Sequence, residues 1–162
     1  MKYFPMKSKK FILKAIIIIC TIFLSCGKSL AQGDQFSIDY ILEYDINENG
    51  ETDVIHKAII TNLQNDVIPT IYTFSAKQLK IYDVSAKTNE KDTNPKVEEK
   101  NGETVISATI KDYAIGEGRQ NTIILNYKTK SIAVKSGKIW NIYIPKIQAP
   151  EKASGYNIKI SV

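Results

Sequence analysis

Residues 36–62 read FSIDYILEYDINENGETDVIHKAIITN, and the reading of this stretch decides the fold. Phe36, Ile38, Tyr40, Leu42, Tyr44 and Ile46 fall on one face, and Ser37, Asp39, Glu43 and Asp45 on the other. Successive side chains of a strand point to opposite faces, so a period of two describes a half-buried strand. NENG (47–50) follows as a turn, with Gly50 free to take a positive φ. TDVIHKAIITN (52–62) continues as a second strand, and the pair reads as a hairpin.

The same signal continues towards the C-terminus. TIYTFSA (70–76) and QLKIYDVSA (78–86) are β-branched and aromatic runs that meet near Lys77, with Pro69 limiting where the first begins. KTNEKDTNPKVEEKNGE (87–103) is polar and charged, which predicts an exposed loop with a short edge strand near Val97. Its Asn101-Gly102 pair suits a tight hairpin turn into TVISATI (104–110). GEGR (116–119) is a turn or bulge before NTIILNYKT (121–129), where Ile123, Leu125 and Tyr127 alternate. SIAVKSG (131–137) is expected to be a connection with one helical turn at most. KIWNIYIP (138–145) places Trp140, Ile142 and Ile144 on one face, a pattern expected of core residues. GYNIKISV (155–162) alternates through Tyr156, Ile158, Ile160 and Val162. The chain carries no repeat of fixed period and no amphipathic helix. About eight or nine short strands punctuated by turns predict an all-β, antiparallel, immunoglobulin-like β-sandwich, with a barrel as the rival. Its final strand stops in mid-alternation at Val162, which raises the expectation of a following linker or domain.

The first thirty-one residues belong to a different class. MKYFPMKSKK is basic, and from Ala15 to Leu24 the only polar side chain is Thr21. That apolar run is about half of what a spanning helix needs, so residues 1–31 read as a secretory signal peptide and 32–162 as one domain. Ser29 and Ala31 suit signal peptidase cleavage before Gln32. The alternative is a lipobox at FLSC-G, which would make Cys26 a lipidated N-terminus; Phe23 stands there where Leu is usual. The expected location is outside the cytoplasmic membrane, secreted or on the envelope. Cys20 is an apolar-segment residue, so cleavage after Ala31 leaves no cysteine, and the domain must rely on its core rather than on disulfides.

Cleavage also changes the charge. The chain has 22 Lys and Arg against 17 Asp and Glu, but Lys2, Lys7, Lys9, Lys10, Lys14 and Lys28 all precede Gln32. The mature chain therefore holds 16 basic and 17 acidic residues, a net charge of −1. Nucleic acid is excluded as a partner, because no basic patch remains to neutralise phosphates.

Candidate chemistry is sparse. Asp45, Asn47, Asn49 and Gly50 match the opening of a calcium loop, but the twelfth position, which should be a bidentate Glu, is His56, and strands rather than helices flank it. The stretch reads instead as a hairpin tip. His56 is the sole histidine and, without a mature Cys or second His, builds neither a Cys-His pair nor a zinc cluster. GEGR lacks the full phosphate-binding pattern, and none of Ser75, Ser85 and Ser107 sits in G-x-S-x-G. No catalytic, cofactor-binding or metal-binding residue is expected, and no cofactor.

The order of these segments, with Thr61-Asn62, Gly116-x-Gly118, Asn126-Tyr127, and Gly137 with Trp140 and Pro145, resembles the N-terminal region of exported bacterial transglutaminase-like proteins. In those, a β-rich domain follows the signal peptide and precedes a papain-like core. The resemblance implies a non-catalytic accessory module beside a catalytic domain, because the core's Cys nucleophile and His base have no counterpart here. The alternative is a stand-alone envelope protein binding a peptide or glycan through an aromatic patch or an unpaired strand edge.

Overall fold

Alternation survives folding almost residue for residue. In a computed structural model of the chain, which describes residues 35–146 and 153–162, β1 (Phe36–Ile46) buries Ile38, Tyr40, Leu42, Tyr44 and Ile46. The signal segment, both processing sites, Cys20 and Cys26 lie outside the described residues. β2 (Thr52–Asn62) buries every second residue from Thr52 to Asn62 and pairs antiparallel with β1 from Ile46↔Thr52 to Phe36↔Asn62.

Nine further strands follow: β3 (Ile71–Lys77), β4 (Ile81–Thr88), β5 (Lys91–Thr93), β6 (Lys96–Lys100), β7 (Glu103–Thr109), β8 (Gln120–Thr129), β9 (Ala133–Ser136), β10 (Ile139–Ile142) and β11 (Ala153–Ser161). They form a six-stranded sheet in the order β11-β1-β2-β8-β4-β5, a three-stranded sheet in the order β3-β7-β6, and a β9–β10 hairpin. The two larger sheets face each other over one core. β1, β2, β4 and β8 contribute Tyr40, Leu42, Val54, Ala86, Ile123 and Leu125 from one side; β3 and β7 contribute Tyr72, Phe74 and Ile106 from the other. Each fully buried aliphatic or aromatic side chain of this kind stabilises the fold by about 1.5–3 kcal/mol. This is the all-β sandwich expected, and the barrel is ruled out by two separate sheets with free edges.

Three features depart from the expectation. Among the described residues the strands number eleven, because β5 and β9 form where loop and connection were expected, while β6 is the edge strand expected near Val97. Asn89 and Glu90 take φ of 47° and 68°, which makes the two-residue turn between Thr88 and Lys91; a Glu with positive φ leaves no turn signature in sequence. SIAVKSG holds no helical turn: β9 pairs with β10 across Gly137 (φ 63°) and Lys138, with Ser136 opposite Ile139. Finally, β11 runs parallel to β1, from Ile38↔Ala153 to Asp45↔Ser161, so the large sheet is not purely antiparallel.

Candidate functional site

The sequence offered His56 as the one base, and β2 carries it into the middle of the sandwich. The ring is fully buried. It meets Phe74 edge-on at 4.6 Å and Tyr40 at 5.6 Å between centroids. Nε2 lies 2.6 Å from the Tyr72 hydroxyl, while Nδ1 has no hydrogen-bond partner. A bare lone pair costs less than a bare N–H, so the proton belongs on Nε2, donated to Tyr72. Burial first, then its neighbour Tyr40, pushes the Tyr72 phenol well above the ordinary range. Burial holds His56 down at about 3, so the imidazole is neutral throughout the physiological range. This cluster is an internal link between the two sheets, closed to any substrate.

The calcium-like loop is a hairpin tip, as expected. Asn47 Oδ1 accepts the N–H groups of Asn49 (3.0 Å) and Glu51 (3.1 Å), so the oxygen that would face a cation caps the turn. Asp45 points to solvent and His56 into the core, so the pattern's ends lie on opposite faces. Among the described residues no group of three or more His, Cys, Asp or Glu is placed to hold a metal. GEGR is a turn: Arg119 N–H donates to Gly116 O, and Gly118 N–H donates to Asn62 O at the end of β2. Ser107 Oγ lies 3.5 Å from Thr73 Oγ1 on an exposed face.

Trp140 departs from the core expectation. Trp140, Ile142 and Ile144 are all only half-buried, and of the three Ile142 and Ile144 pack against the core. Its Cζ3 lies 3.6 Å from where a Cβ on Gly50 would stand, and Lys135, its cross-strand neighbour, places Nζ 5.0 Å from the ring centroid. The indole is thus a clamp holding the β9–β10 hairpin to the β1–β2 turn, reinforced by a cation–π contact.

What remains open is one flank. β3 sits over β2, through the Tyr72–His56 and Phe74–His56 contacts, and among the described residues it pairs with β7 alone. β11 lies two strands beyond β2 in the large sheet. Its inward residues are in register with buried ones: Tyr156 with Tyr40, Ile158 with Leu42, Ile160 with Tyr44. Tyr156, on which Tyr40 stacks at 5.1 Å, is nevertheless 54% exposed, Ile158 46% and Ile160 43%. A cleft of about 220 Å³ runs along the start of β3, lined by Phe36, Ile38, Pro69, Ile71, Tyr72 and Thr73 among others. Sequence reasoning missed this flank, because the alternation of β11 is the same in kind as that of the buried strands.

No family model and no curated protein matches the chain. Among solved structures it is similar to the M1 zinc metallopeptidase from Deinococcus radiodurans, at 9% identity over 59% of this chain and a TM-score of 0.37. It is also similar to yeast LTA4 hydrolase in complex with bestatin (10% identity, 73% of this chain, TM-score 0.43). The native leukotriene A4 hydrolase from Saccharomyces cerevisiae aligns comparably (8% identity, 74% of this chain, TM-score 0.44). The chain spans about a fifth of the length of each, and likeness at this level identifies neither a family nor an activity.

Proposed function

We propose that this chain is a non-catalytic, exported β-sandwich module that docks another polypeptide. The observation that carries the reading is where the polar chemistry lies. The one histidine is a neutral core residue, and Tyr156, Ile158 and Ile160 of a single strand stand exposed although their register partners in β1 are buried. The resemblance of its segments to the N-terminal region of transglutaminase-like proteins supports a catalytic domain as the neighbour. A stand-alone envelope protein that captures a peptide is the second reading, and the unpaired edge of β3 favours it.

Sequencing the transcript past the codon for Val162 tests the accessory role. A frame that continues into a Cys-His core is the expected result. A stop codon there overturns the accessory role and leaves the envelope module. The mass of the exported product tests the location: a chain beginning at Gln32 is expected, and one beginning at a diacylglyceryl Cys26 would place the module on a membrane instead.

A further inference from the structure

We infer that the open flank is a strand-acceptor site: an extended segment of a partner pairs with the free edge of β3 and lays one uncharged, apolar face on Tyr156, Ile158 and Ile160 of β11. The inference rests on the docking reading above and names its site and the chemistry of its occupant.

The two sheets are unequal, six strands against three, and the deficit falls on one side. Strands in a sheet stand about 4.8 Å apart and facing sheets about 10 Å. With β3 over β2, one more strand beside β3 lies over β1 and its outer neighbour β11. That is where the inward side chains of β11 lack a cover. The cleft beside Pro69–Thr73 opens against Phe36 and Ile38 of β1, the strand next to β11.

The edges differ in their protection. An exposed edge is usually blunted by charge, shortness, proline or a bulge. At the other side of the small sheet, β6 reads KVEEK with every residue exposed. At the far side of the large sheet, β5 is three residues long. β3 has neither device. It carries no charge from Ile71 to Ala76, pairs with β7 without a register shift, and exposes Ile71 at 62%.

Charge and area select the occupant. No charged side chain lines the cleft, and Lys159, the one charge on β11, is in register with the outward-facing Glu43. The inward face of the occupant is therefore uncharged. Tyr156, Ile158 and Ile160 together expose on the order of 300 Å², the size that marks interaction sites. A stable dimer needs about 800 Å² per partner, so a second folded copy is poorly held by this patch. An extended segment adds main-chain hydrogen bonds along β3 to the same small area, as in strand addition generally.

The test uses residues 32–162 beside the full chain, and a synthetic peptide alternating threonine with isoleucine or valine over about seven positions between paired lysines. Fluorescence anisotropy reads binding, and amide hydrogen exchange reads its place. Binding is expected to protect amides of β3 and leave those of β6 unchanged. Ile158→Lys and Ile71→Lys, both at exposed positions, are expected to weaken binding about tenfold without lowering the melting temperature. Asn157→Lys, on the other face, is expected to bind as the parent does. Protection at β11 with none at β3 would overturn the inference, as would no binding. Self-association of the unliganded module, abolished by Ile158→Lys, would make a second copy the occupant and overturn it too. Binding by residues 32–162 but not by the full chain would make the segment 1–31 the occupant, with the same consequence. Acyl-transfer or hydrolytic activity in the purified chain would instead sink the non-catalytic reading, and the exchange pattern at β3 would still report on strand addition.

Discussion

The two flanks of the sandwich are built from similar strands and end differently. On the closed flank, side chains staple the sheets together. Thr88 Oγ1 and Thr93 Oγ1 both donate to Thr109 O, and Lys111 N–H donates back to Thr88 Oγ1. Behind them, Asn89 Nδ2 donates to Lys111 O, Asp112 O and Asn121 Oδ1, while Asn89 Oδ1 accepts from Thr122 N–H. On the open flank, β3 pairs with β7 alone among the described residues, and β11 carries the exposed Tyr156, Ile158 and Ile160. The difference teaches that polar groups close an edge by satisfying one another locally, whereas an apolar face can be closed only by another apolar face.

The comparison breaks first at Asn121. Its fully buried Oδ1 accepts from both Ala114 N–H and Asn89 Nδ2. Asn121→Leu takes the acceptor from Ala114 N–H, while Asn89 Nδ2 keeps Lys111 O and Asp112 O, and a loss of about 1–3 kcal/mol is expected in urea denaturation. A loss below 1 kcal/mol would mean that the closed flank is not held by this network.

The centre between the flanks supplies the next effect. His56 sits at about 3 in the folded protein and at about 6.5 unfolded. The unfolded chain therefore binds the extra proton first as pH falls, so stability is full above pH 6.5 and drains away towards pH 3. About 1.4 kcal/mol should be lost per pH unit below 6.5 from this group. In His56→Gln, denaturation midpoints measured between pH 7 and 5 should show a flatter slope; an unchanged slope would assign the acid sensitivity elsewhere.

A smaller effect belongs to the hairpin clamp. Gly50 has φ 78°, and a Cβ there would stand 3.1 Å from Ala133 O, beside Trp140. Gly50→Ala is expected to cost about 1–2 kcal/mol by calorimetry and to shift Trp140 fluorescence to the red as the indole loosens. Unchanged emission would show that the clamp does not depend on this turn. The smallest effect is on the open flank. Ile158→Thr should change stability by no more than about 0.5 kcal/mol, since nothing packs over it. A large loss would mean that β11 is already covered.

Much of the fold was legible because it is local. The hairpin at 36–62, the Asn101-Gly102 turn with φ of 54° and 74°, and the edge strand at Val97 follow from periodicity and turn chemistry carried by neighbouring residues. The turn at Asn89-Glu90 was hidden because Asn89 is held there by partners at 111, 112, 121 and 122, far along the chain. Trp140, Ile142 and Ile144 share a face yet all three stay half-buried, because pattern tells which residues face together and not how deep that face lies. The turns at the calcium-like loop and at GEGR were legible for the same local reason.

Sequence alone determined that the described residues are all-β, where most strands lie, and which side of each strand is apolar. These depend on a two-residue period that any strand must obey. Tertiary structure decided that His56 joins the sheets as a neutral core group and that β11 runs parallel to β1. It also decided that Tyr156, Ile158 and Ile160 stay uncovered while their register partners Tyr40, Leu42 and Tyr44 are buried. The reason is that burial belongs to the space between sheets: the same alternation is core where a facing strand exists and a binding surface where it does not.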